Sequence, residues 1–487
     1  MNGYYLELMR ENAPLLTIVT PLIGAALMLI SGPARMSWLI AGAAAIVAAF
    51  ISLDFAAALL TRLPLPVAEV GVSLFVDGIG AFAAALISLV LALVVVAVGA
   101  TLKDAGASPA PLSLALLLAV AAGWIGALMA RDLVAVFAGV ETAWLAATGL
   151  TAVNAVRERT PLNGAFRMLT LGGVGAALML LGIGMLARAA GGLEIDALPL
   201  AQIRMPNLAG AGAALVVLGL AVKAGVAPVH AWSAVAIGRS GSMIAFGVGT
   251  LGILGALSVL TRFSAYAITA PEIGAAISIA LAGLGAVSVV VGSVQAVGSR
   301  NLLRLAVYAG VSQAGCVLLS VALGSPAGFA AALVQLVAFA AAALALYGGA
   351  AAGRVQSLDM LDGYATRAPL ASAAITAGAL SLMGAPLTIG FLGRWRLVEA
   401  GVGAGWWWAS GLVIIASLAG VFYGGRLVER MYFRRANATY AGEGGVWRVA
   451  LAPVLLAAIA AIAIGLAPGV LLSAAAAASH MLTGMVA

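Results

Sequence analysis

The sequence predicts an all-α polytopic membrane protein with about fourteen transmembrane helices. Of its 487 residues, 64% are hydrophobic and only 8% are charged, and the mean hydropathy is +1.16. Soluble domains carry roughly 25% charged residues, so this composition is typical of a protein whose surface meets lipid. Apolar runs of about 20 residues, the length that crosses a bilayer, recur along the chain between charged or Gly/Pro-rich breaks.

The apolar runs place the fourteen helices in order. The first seven are predicted at about 13–31, 36–60, 78–101, 111–130, 132–153, 163–190 and 208–232, and the last seven at about 240–262, 271–298, 301–323, 326–352, 367–398, 405–431 and 447–475. The first run lacks a small-residue cleavage site, so we expect a retained helix rather than a signal peptide.

The composition also excludes several classes of site. A single cysteine, Cys316, excludes disulfides and four-cysteine iron–sulfur or zinc sites within this chain. Only two histidines, His230 and His480, are present, and no G-x-G-x-x-G motif lies between a strand and a helix. We therefore expect no metal and no cofactor in this chain.

The basic residues indicate topology. They lie mostly in short loops, so the pI near 9.9 reflects membrane orientation, and we expect no nucleic-acid partner. Placing both termini outside puts fifteen of the 24 basic residues on the cytoplasmic side, and Arg262 among those in outer loops. We therefore expect a bacterial-type inner (plasma) membrane with both termini on the outer, periplasmic side.

Two similar segments of the sequence predict a duplicated architecture. The seventh segment reads VKAGVAPVHAW and the twelfth reads SLMGAPLTIGFLGRW, and each contains an Ala-Pro step and a basic residue. Interrupted segments at corresponding positions of two halves are typical of inverted-repeat transporters. We expect helices 7 and 12 to break at Pro228 and Pro386. The predicted units are flanking helices 1–3 (1–103), a first five-helix repeat of helices 4–8 (104–265), a second repeat of helices 9–13 (266–435), and helix 14 with the C-terminus (436–487).

Lys223 is the ion that its apolar surroundings explain least. The chain has one other lysine, Lys103, which lies in a polar loop. A cationic side chain near the bilayer centre costs roughly 2.5–3.5 kcal/mol even on lenient scales. Pro228 removes a backbone donor one turn later, and broken helices are tolerated at membrane depth where they line a hydrated cavity. We interpret Lys223 as part of a proton or ion path; a lysine reaching to the interface is the alternative.

Glu141 is the second ion placed deep in an apolar run. It lies about 13 Å along the fifth segment, at 1.5 Å per residue. A lone carboxylate there would be protonated, whereas one facing Lys223 can stay ionised. A neutral glutamic acid bonded to a neighbouring helix is the alternative. Asp132 and Asp77 are expected to be interfacial residues that begin the fifth and third helices, Asp132 as an N-cap, with Arg131 solvated beside it.

Two further ionisable groups lie near the predicted breaks. His230 has a reference pKa near 6.5 and can shuttle a proton, or it can be held by the carbonyls of the broken helix. Arg394 stays protonated, so it can set a field or anchor the helix at the interface but is a poor proton carrier.

At these positions the chain resembles the antiporter-like membrane subunits shared by respiratory complex I (N-, M- and L-type), Mrp cation/proton antiporters (D-type) and membrane-bound hydrogenases. The matching stretches include VDGIGAFAAALI, RDLVAVFAGVE, VKAGVAPVHAW, SRNLLRLAVYAGVSQAGCVLL and LSLMGAPLTIGFLGRWRLV. They run over about three-quarters of the chain, and the family's plan has fourteen helices.

The resemblance implies roles for named residues. Glu141 and Lys223 match the glutamate and lysine of the family's proton-loading pair. Arg394 stands where relatives carry a titratable lysine or glutamate, so we expect Arg394→Lys to be tolerated. Leu254 occupies the place of an eighth-helix lysine, and the eleventh helix lacks the family's ionisable groups. Ser312, Gln313 and Gln335 are left to form a central polar axis.

Two functions from different classes remain open at this point. The first is a proton- or cation/proton-translocating subunit of a redox-driven pump, NADH-quinone oxidoreductase-like or hydrogenase-like, or of an Mrp-type antiporter. The second is a transport-incompetent subunit that scaffolds the membrane arm of such a complex. Retention of Glu141 and Lys223 favours translocation, and loss of the other ions favours the scaffold. Either function implies other membrane subunits as partners.

Overall fold

The computed structural model describes residues 10–30, 34–61, 74–101, 110–153, 159–199, 203–238, 246–435 and 448–484, and all its regular elements are helices. In chain order they are α1 Ala13–Ile30, α2 Ala34–Thr61, α3 Gly78–Thr101, α4 Ala110–Met129, α5 Leu133–Val153, α6 Arg159–Ala190, α7a Pro206–Ala224, α7b Ala231–Ala236 and α8 Val248–Thr269. They continue as α9 Gly274–Gly298, α10 Leu302–Ala322, α11 Pro326–Ala352, α12a Pro369–Met383, α12b Ile389–Gly403, α13 Trp407–Val428, α14a Arg448–Leu466 and α14b Gly469–Gly484. Two short helices, Asp359–Leu361 and Tyr364–Arg367, lie between α11 and α12a, and a π-helical turn, Glu429–Phe433, follows α13.

Every predicted span contains helix among the described residues. In the described part of the chain, eleven helices are long and apolar enough to cross a bilayer, or twelve when the bent pair α14a–α14b counts as one span. The apolar helices at Ala13–Met28 and Pro369–Met383 are shorter. The chain is a multi-pass membrane protein, and the count of fourteen spans stays a prediction.

Several helix ends follow directly from local sequence. Asn301, Ser325 and Thr388 each accept a backbone hydrogen bond from the residue three places on, as N-cap residues do. Pro206, Pro326 and Pro369 stand in the first turn, where a missing amide hydrogen has no consequence. The caps fix where the spans begin without any contact from distant parts of the chain.

The two predicted repeats have the same order of neighbours. In the first, α4 packs on α5, α5 on α6, α6 on α7a, α7a on α8, and α8 back on α4. In the second, α9 packs on α10, α10 on α11, α11 on α12a, α12a on α13, and α13 back on α9. Each repeat is therefore a closed ring of helices. Helix α8 contacts α9, α10 and α11 and so joins the two rings. The inverted relation of the repeats stays a prediction.

The last predicted span is broken rather than continuous. Helix α14a ends at Leu466, and α14b starts at Gly469 after a bend of 83°. Pro468 lies at the bend and has no amide hydrogen to continue the helical ladder. The sequence analysis treated 447–475 as one helix because a 29-residue apolar run gives no warning of a change in direction.

The expectation that Arg262 lies in an outer loop is wrong, because Arg262 lies within α8 and is buried against Asp77. Arg262 Nε is 2.5 Å from Asp77 Oδ2, and the two side chains are 1% and 0% exposed. Tyr266 donates to the same oxygen, and the Arg262 guanidinium also donates to the carbonyls of Ala130 and Phe75. Asp77 also receives the amide of Gly80 on its other oxygen and so caps α3. The network is buried because its hydrogen bonds are made within the protein.

Asp132 and Arg131 lie as expected. Asp132 accepts the amide of Ala135 and caps α5, while Arg131, partly exposed, pairs with Asp196 and Glu194 of the loop after α6. Some predictions concern residues outside the described part: both termini, Met1 and Ala487, Lys103, and the unit boundaries at 103–104 and 435–436.

Candidate ion-transfer site

Helix 7 is interrupted beside Lys223. α7a ends at Ala224 because Gly225 takes a left-handed conformation (φ 64°), which residues with a Cβ rarely adopt. The amide of Val226 then donates to the carbonyl of Ala221, which closes a Schellman motif. Pro228 lies in the gap after the helix has already ended. The glycine therefore stops the helix, whereas the sequence analysis had assigned the break to the proline.

Helix 12 is interrupted by the same device. Gly384 is left-handed (φ 77°), and the amide of Ala385 donates to the carbonyl of Leu380. Pro386 lies in the gap that follows, and α12b then begins after Thr388. Aligned on the two glycines, Lys223 corresponds to Leu382 in α12a. Arg394 lies beyond the break, in α12b, so Lys223 and Arg394, the basic residues of the two similar segments, do not occupy equivalent positions.

Lys223 forms an ion pair with Glu141. The Lys223 side chain is fully buried (0% exposed), and its Nζ lies 2.8 Å from Glu141 Oε1 on α5. The two atoms are close, but their angles do not meet the geometry of a hydrogen bond. The contact is therefore described as an ion pair. Nζ also donates to the carbonyl of Gly172 on α6 at 3.4 Å. The predicted facing of the two ions is present, and the burial of Lys223 excludes a side chain that reaches the interface.

Two tryptophans shape the space around the lysine. Nζ lies 4.8 Å from the centre of the Trp144 ring, within range of a cation–π interaction. Trp144 Nε1 donates to the carbonyl of Met168, which fixes the ring. Trp232 of α7b packs edge-on against Trp144 and donates to the carbonyl of Val222 in the last turn of α7a. The Trp232 bond ties the two halves of helix 7 together beside Lys223.

Glycine at 172 is required for this arrangement. A Cβ there would lie 1.8 Å from Trp144 Nε1, so any other residue displaces the ring. Glu141 itself is 20% exposed, so the carboxylate connects the buried lysine to the outside of the chain.

His230 precedes α7b and is held by a side chain rather than by the broken-helix carbonyls. Its Nε2 lies 2.8 Å from Oε1 of Gln295 on α9. Because an amide oxygen can only accept, Nε2 carries the hydrogen, which leaves Nδ1 as an acceptor without a partner among the described residues. The ring of Tyr308 lies 6.2 Å away, edge-on.

A polar cavity of about 460 Å³ opens between the ends of α9 and α10. Its walls include Gln295 and Tyr308, the two side chains that contact His230, together with Arg300, Asn301 and Arg304. The arginines lie on the side that the basic-residue count assigns to the cytoplasm. The cavity therefore leads from that face towards His230.

The predicted polar axis is buried, and most of it lacks partners. Ser312 shares a hydrogen bond with Ser293 at 3.0 Å. Gln313 and Gln335 are 1% and 0% exposed, and neither amide has a hydrogen-bond partner among the described residues. A buried amide without partners costs roughly 1–3 kcal/mol, so these groups favour an axis that is hydrated.

Arg394 is buried and fastened to the first half of its own helix. Its side chain donates to the carbonyls of Leu382 (2.7 Å) and Met383 (2.6 Å) and to Ser417 Oγ (2.7 Å). Tyr423 donates to the same Leu382 carbonyl. Arg394 therefore satisfies the last carbonyls of α12a, which a helix end leaves without partners. It is therefore not a free ion.

A second cavity, of about 520 Å³, lies between α11, α12b and α14b. Val334 lines it next to Gln335 in sequence, and the ion pair Arg396–Glu399 stands in its wall. It lies on the side that the basic-residue count assigns to the exterior. The described residues thus form a polar cavity beside His230 and a largely apolar one lined by Val334, the residue before Gln335.

Sequence reasoning missed several residues of this region. Gln295 and Ser417 partner His230 and Arg394, but isolated polar residues in apolar runs carry no signal of their partner. Tyr347 in α11 was not predicted, because Gln335 was taken as the one strongly polar group of that segment. The first turn of α8, Val248–Gly252, is a π-helix, which the sequence did not suggest.

Comparisons with known proteins agree with this architecture. Residues 130–420 match the family described as NADH:quinone oxidoreductase/Mrp antiporter, TM. The chain is 28% identical to NADH-quinone oxidoreductase subunit N of Desulforudis audaxviator and 30% identical to that of Cereibacter sphaeroides, over 66% of this chain in both cases. The matches span 64% and 69% of those two relatives. A chain of the Mrp complex from Dietzia sp. DQ12-45-1b superposes with a TM-score of 0.83 at 20% identity, covering 98% of this chain and 99% of that one, which shows a shared fold.

Proposed function

We propose that this chain, which belongs to the NADH:quinone oxidoreductase/Mrp antiporter transmembrane family, is a proton- or cation/proton-translocating subunit of a larger membrane complex. The observation that carries the proposal is the ion pair of Glu141 with the fully buried Lys223, beside a broken helix. A purely structural subunit does not need a fully buried lysine, whose desolvation has to be offset by its partner.

The pair supplies a way to load and release a proton. While Glu141 lies 2.8 Å from Nζ, its charge favours the protonated lysine. If a neighbouring subunit moves Glu141 away, the same lysine is left in an apolar site that favours its neutral form, and it releases the proton. The exposed part of Glu141 makes it accessible to such a neighbour. A displacement of α5 changes the distance between Glu141 and Lys223 directly.

The two cavities give this proton a route. The proposed path enters at the cavity beside Gln295, passes His230, reaches Lys223 at the end of α7a, and continues through Gln313 and Gln335 to the cavity beside Arg396. His230 can accept at Nδ1 while Nε2 is held by Gln295. Gln313 and Gln335 orient water without changing charge. Arg394 contributes a fixed positive charge near the exit.

The names of the relatives support the assembly. NADH-quinone oxidoreductase subunit N and the chain of an Mrp complex belong to multi-subunit proteins by their names. We propose that this chain likewise works with other membrane subunits in a bacterial-type inner membrane, with both termini outside. In this proposal it holds no cofactor, and any redox chemistry lies in the partners.

A scaffold without transport is the second candidate. It is favoured by Leu254, which is buried where relatives carry a lysine, and by Arg394, which is locked to α12a and cannot titrate. In that case the Lys223–Glu141 pair would only hold α5 to α7a.

Proton uptake by sealed vesicles that contain the intact complex separates the two candidates. Lys223→Ala should abolish translocation while the complex still assembles on a native gel. Lys223→Arg should be nearly as damaging, because arginine keeps the charge but does not release its proton. Lys103→Ala, which removes the other lysine, is the matched control and should pump normally. Equal pumping by wild type and an assembled Lys223→Ala complex would show that the chain is a scaffold.

A further inference from the structure

A small cavity lies where the two rings of helices meet. It has a volume of about 10 Å³, which is the space that one water molecule needs. Its wall is formed by the end of α7a at Gly225, by Ser233 of α7b, by the π-helical turn of α8 at Gly249, and by Tyr347 of α11. The rest of the lining is apolar and comes mainly from α10 and α11. Ala224, which follows Lys223, also lines it, so the cavity starts one residue from the buried ion.

The position of Tyr347 is set by the π-helical turn. A Cβ at Gly249 would lie 3.0 Å from Tyr347 Cε2 and 3.1 Å from Cζ, the carbon that bears the hydroxyl. The outer end of the ring therefore rests on the backbone of α8. π-helical turns are rare and often mark functional sites, because they shift backbone groups out of the regular ladder.

The polar groups of the cavity are available for hydrogen bonding. Tyr347 is 4% exposed, and its hydroxyl makes no hydrogen bond to any described residue. Ser233 Oγ donates to the carbonyl of His230, which leaves its lone pairs free to accept. The hydroxyls of Tyr347 and Ser233 can therefore supply two of the two to four hydrogen bonds that a buried water requires.

At Leu254, the junction between the two rings has an apolar side chain where an ionisable group could have stood. Leu254 is fully buried in α8, two residues after the π-helical segment ends at Gly252, and its side chain has no polar atom. A path from Lys223 to the second ring therefore has to find its hydrogen bonds elsewhere at this level. Tyr347 is the residue with an ionisable side chain in the lining of this cavity.

We propose that Tyr347 relays protons between the two rings through this cavity, in place of an ionisable group in α8. The inference rests on the proposed function. In each transfer the hydroxyl gives its proton to an acceptor on one side as it takes another proton from the opposite side. The phenol is therefore neutral before and after the step, and no charge is left in the cavity. Its orientation against Gly249 holds the hydroxyl at the junction.

Tyr347→Phe tests the relay, because it removes one oxygen and keeps the ring that packs on α8. Proton uptake by sealed vesicles containing the intact complex should fall at least tenfold, with unchanged assembly on a native gel and an unchanged melting temperature. The matched control is Tyr364→Phe. Tyr364 is also buried, and its hydroxyl has no hydrogen-bond partner among the described residues, but it lies outside the spans. That variant should pump at the wild-type rate.

Pumping at the wild-type rate by an assembled Tyr347→Phe complex would overturn the relay. If Lys223→Ala is inactive in the same series, the proposed function stands and only the role of Tyr347 falls. If Lys223→Ala also pumps normally, both the proposed function and the relay by Tyr347 are overturned. Should Tyr347→Phe fail to assemble, Ser233→Ala probes the same cavity and should show the same loss, and normal pumping by that variant would also overturn the relay.

Discussion

The guanidinium Nη2 of Arg394 lies 2.7 Å from the carbonyl oxygen of Leu382, so the second half of helix 12 is fastened to the last turn of the first half. The corresponding tie in helix 7 is made by Trp232, which is neutral and donates to Val222. The two broken helices therefore differ in their charges. In helix 7 the cation is a lysine that can release a proton, and in helix 12 it is an arginine held as a structural cap.

This relationship reverses the expectation for Arg394→Lys. An ammonium group cannot reach both carbonyls of α12a and Ser417 in the planar geometry that the guanidinium uses. We expect Arg394→Lys to lower the free energy of unfolding by about 2 kcal/mol, the magnitude of one or two lost charge-assisted hydrogen bonds. A thermal melt of the purified complex measures this as a lower Tm.

Arg396→Lys is the control, because Arg396 is 38% exposed and its pair with Glu399 is near the surface. That variant should melt like the wild type. Equal melting temperatures for Arg394→Lys and Arg396→Lys would show that the cap does not hold the break together.

The buried pair should behave as a coupled unit in a double-mutant cycle. Glu141→Gln leaves a fully buried ammonium without its opposite charge, which typically costs about 3–5 kcal/mol. The double variant Glu141→Gln, Lys223→Met should recover most of that loss, because no charge is then left buried. Melting temperatures of the four proteins give the coupling.

Glu399→Gln is the surface reference for this cycle. It removes one member of an exposed pair and should change stability by less than about 1 kcal/mol. If Glu141→Gln were as mild as Glu399→Gln, the lysine would be neutral or otherwise compensated, and proton loading by Glu141 would lose its basis.

Gly172→Ala should disturb the lysine site without touching a charge. The new Cβ would lie 1.8 Å from Trp144 Nε1, so the ring that faces Lys223 has to move. We expect translocation to fall at least tenfold in vesicles containing the assembled complex. Gly173→Ala is the matched control, since a Cβ there meets nothing within 4 Å. Normal pumping by Gly172→Ala would show that the position of the tryptophan is unimportant.

The topology can be checked with single cysteines. In a Cys316→Ser background, Glu272→Cys in the α8–α9 connection should react with a membrane-impermeant maleimide from outside. Gln356→Cys, after α11, should react only when the membrane is opened. Both side chains are exposed, and the Cys316→Ser protein without an added cysteine is the unlabelled control. The reverse pattern of labelling would place the termini in the cytoplasm.

The sequence alone was sufficient for features that depend on neighbouring residues. The lengths of the apolar runs predicted the spans. The Gly-x-x-Pro segment of helix 7 and the Gly-x-Pro segment of helix 12 marked the interrupted helices. It also predicted the contact between Lys223 and Glu141, because two ions of opposite sign deep in apolar runs are most stable when they meet.

The tertiary structure alone decided which helix faces meet. Asp77 and Arg262 are 185 residues apart and lie near the ends of their spans, so Asp77 was taken for an interfacial residue and Arg262 for one in an outer loop, yet they form a buried pair. The same is true of Arg394, whose role depends on the carbonyls opposite it, and of Tyr347, whose place depends on a π-helical turn in α8. Inside a bilayer the lipid-facing and protein-facing sides of a helix are equally apolar, so hydropathy sets which segments cross the membrane but not which faces pack.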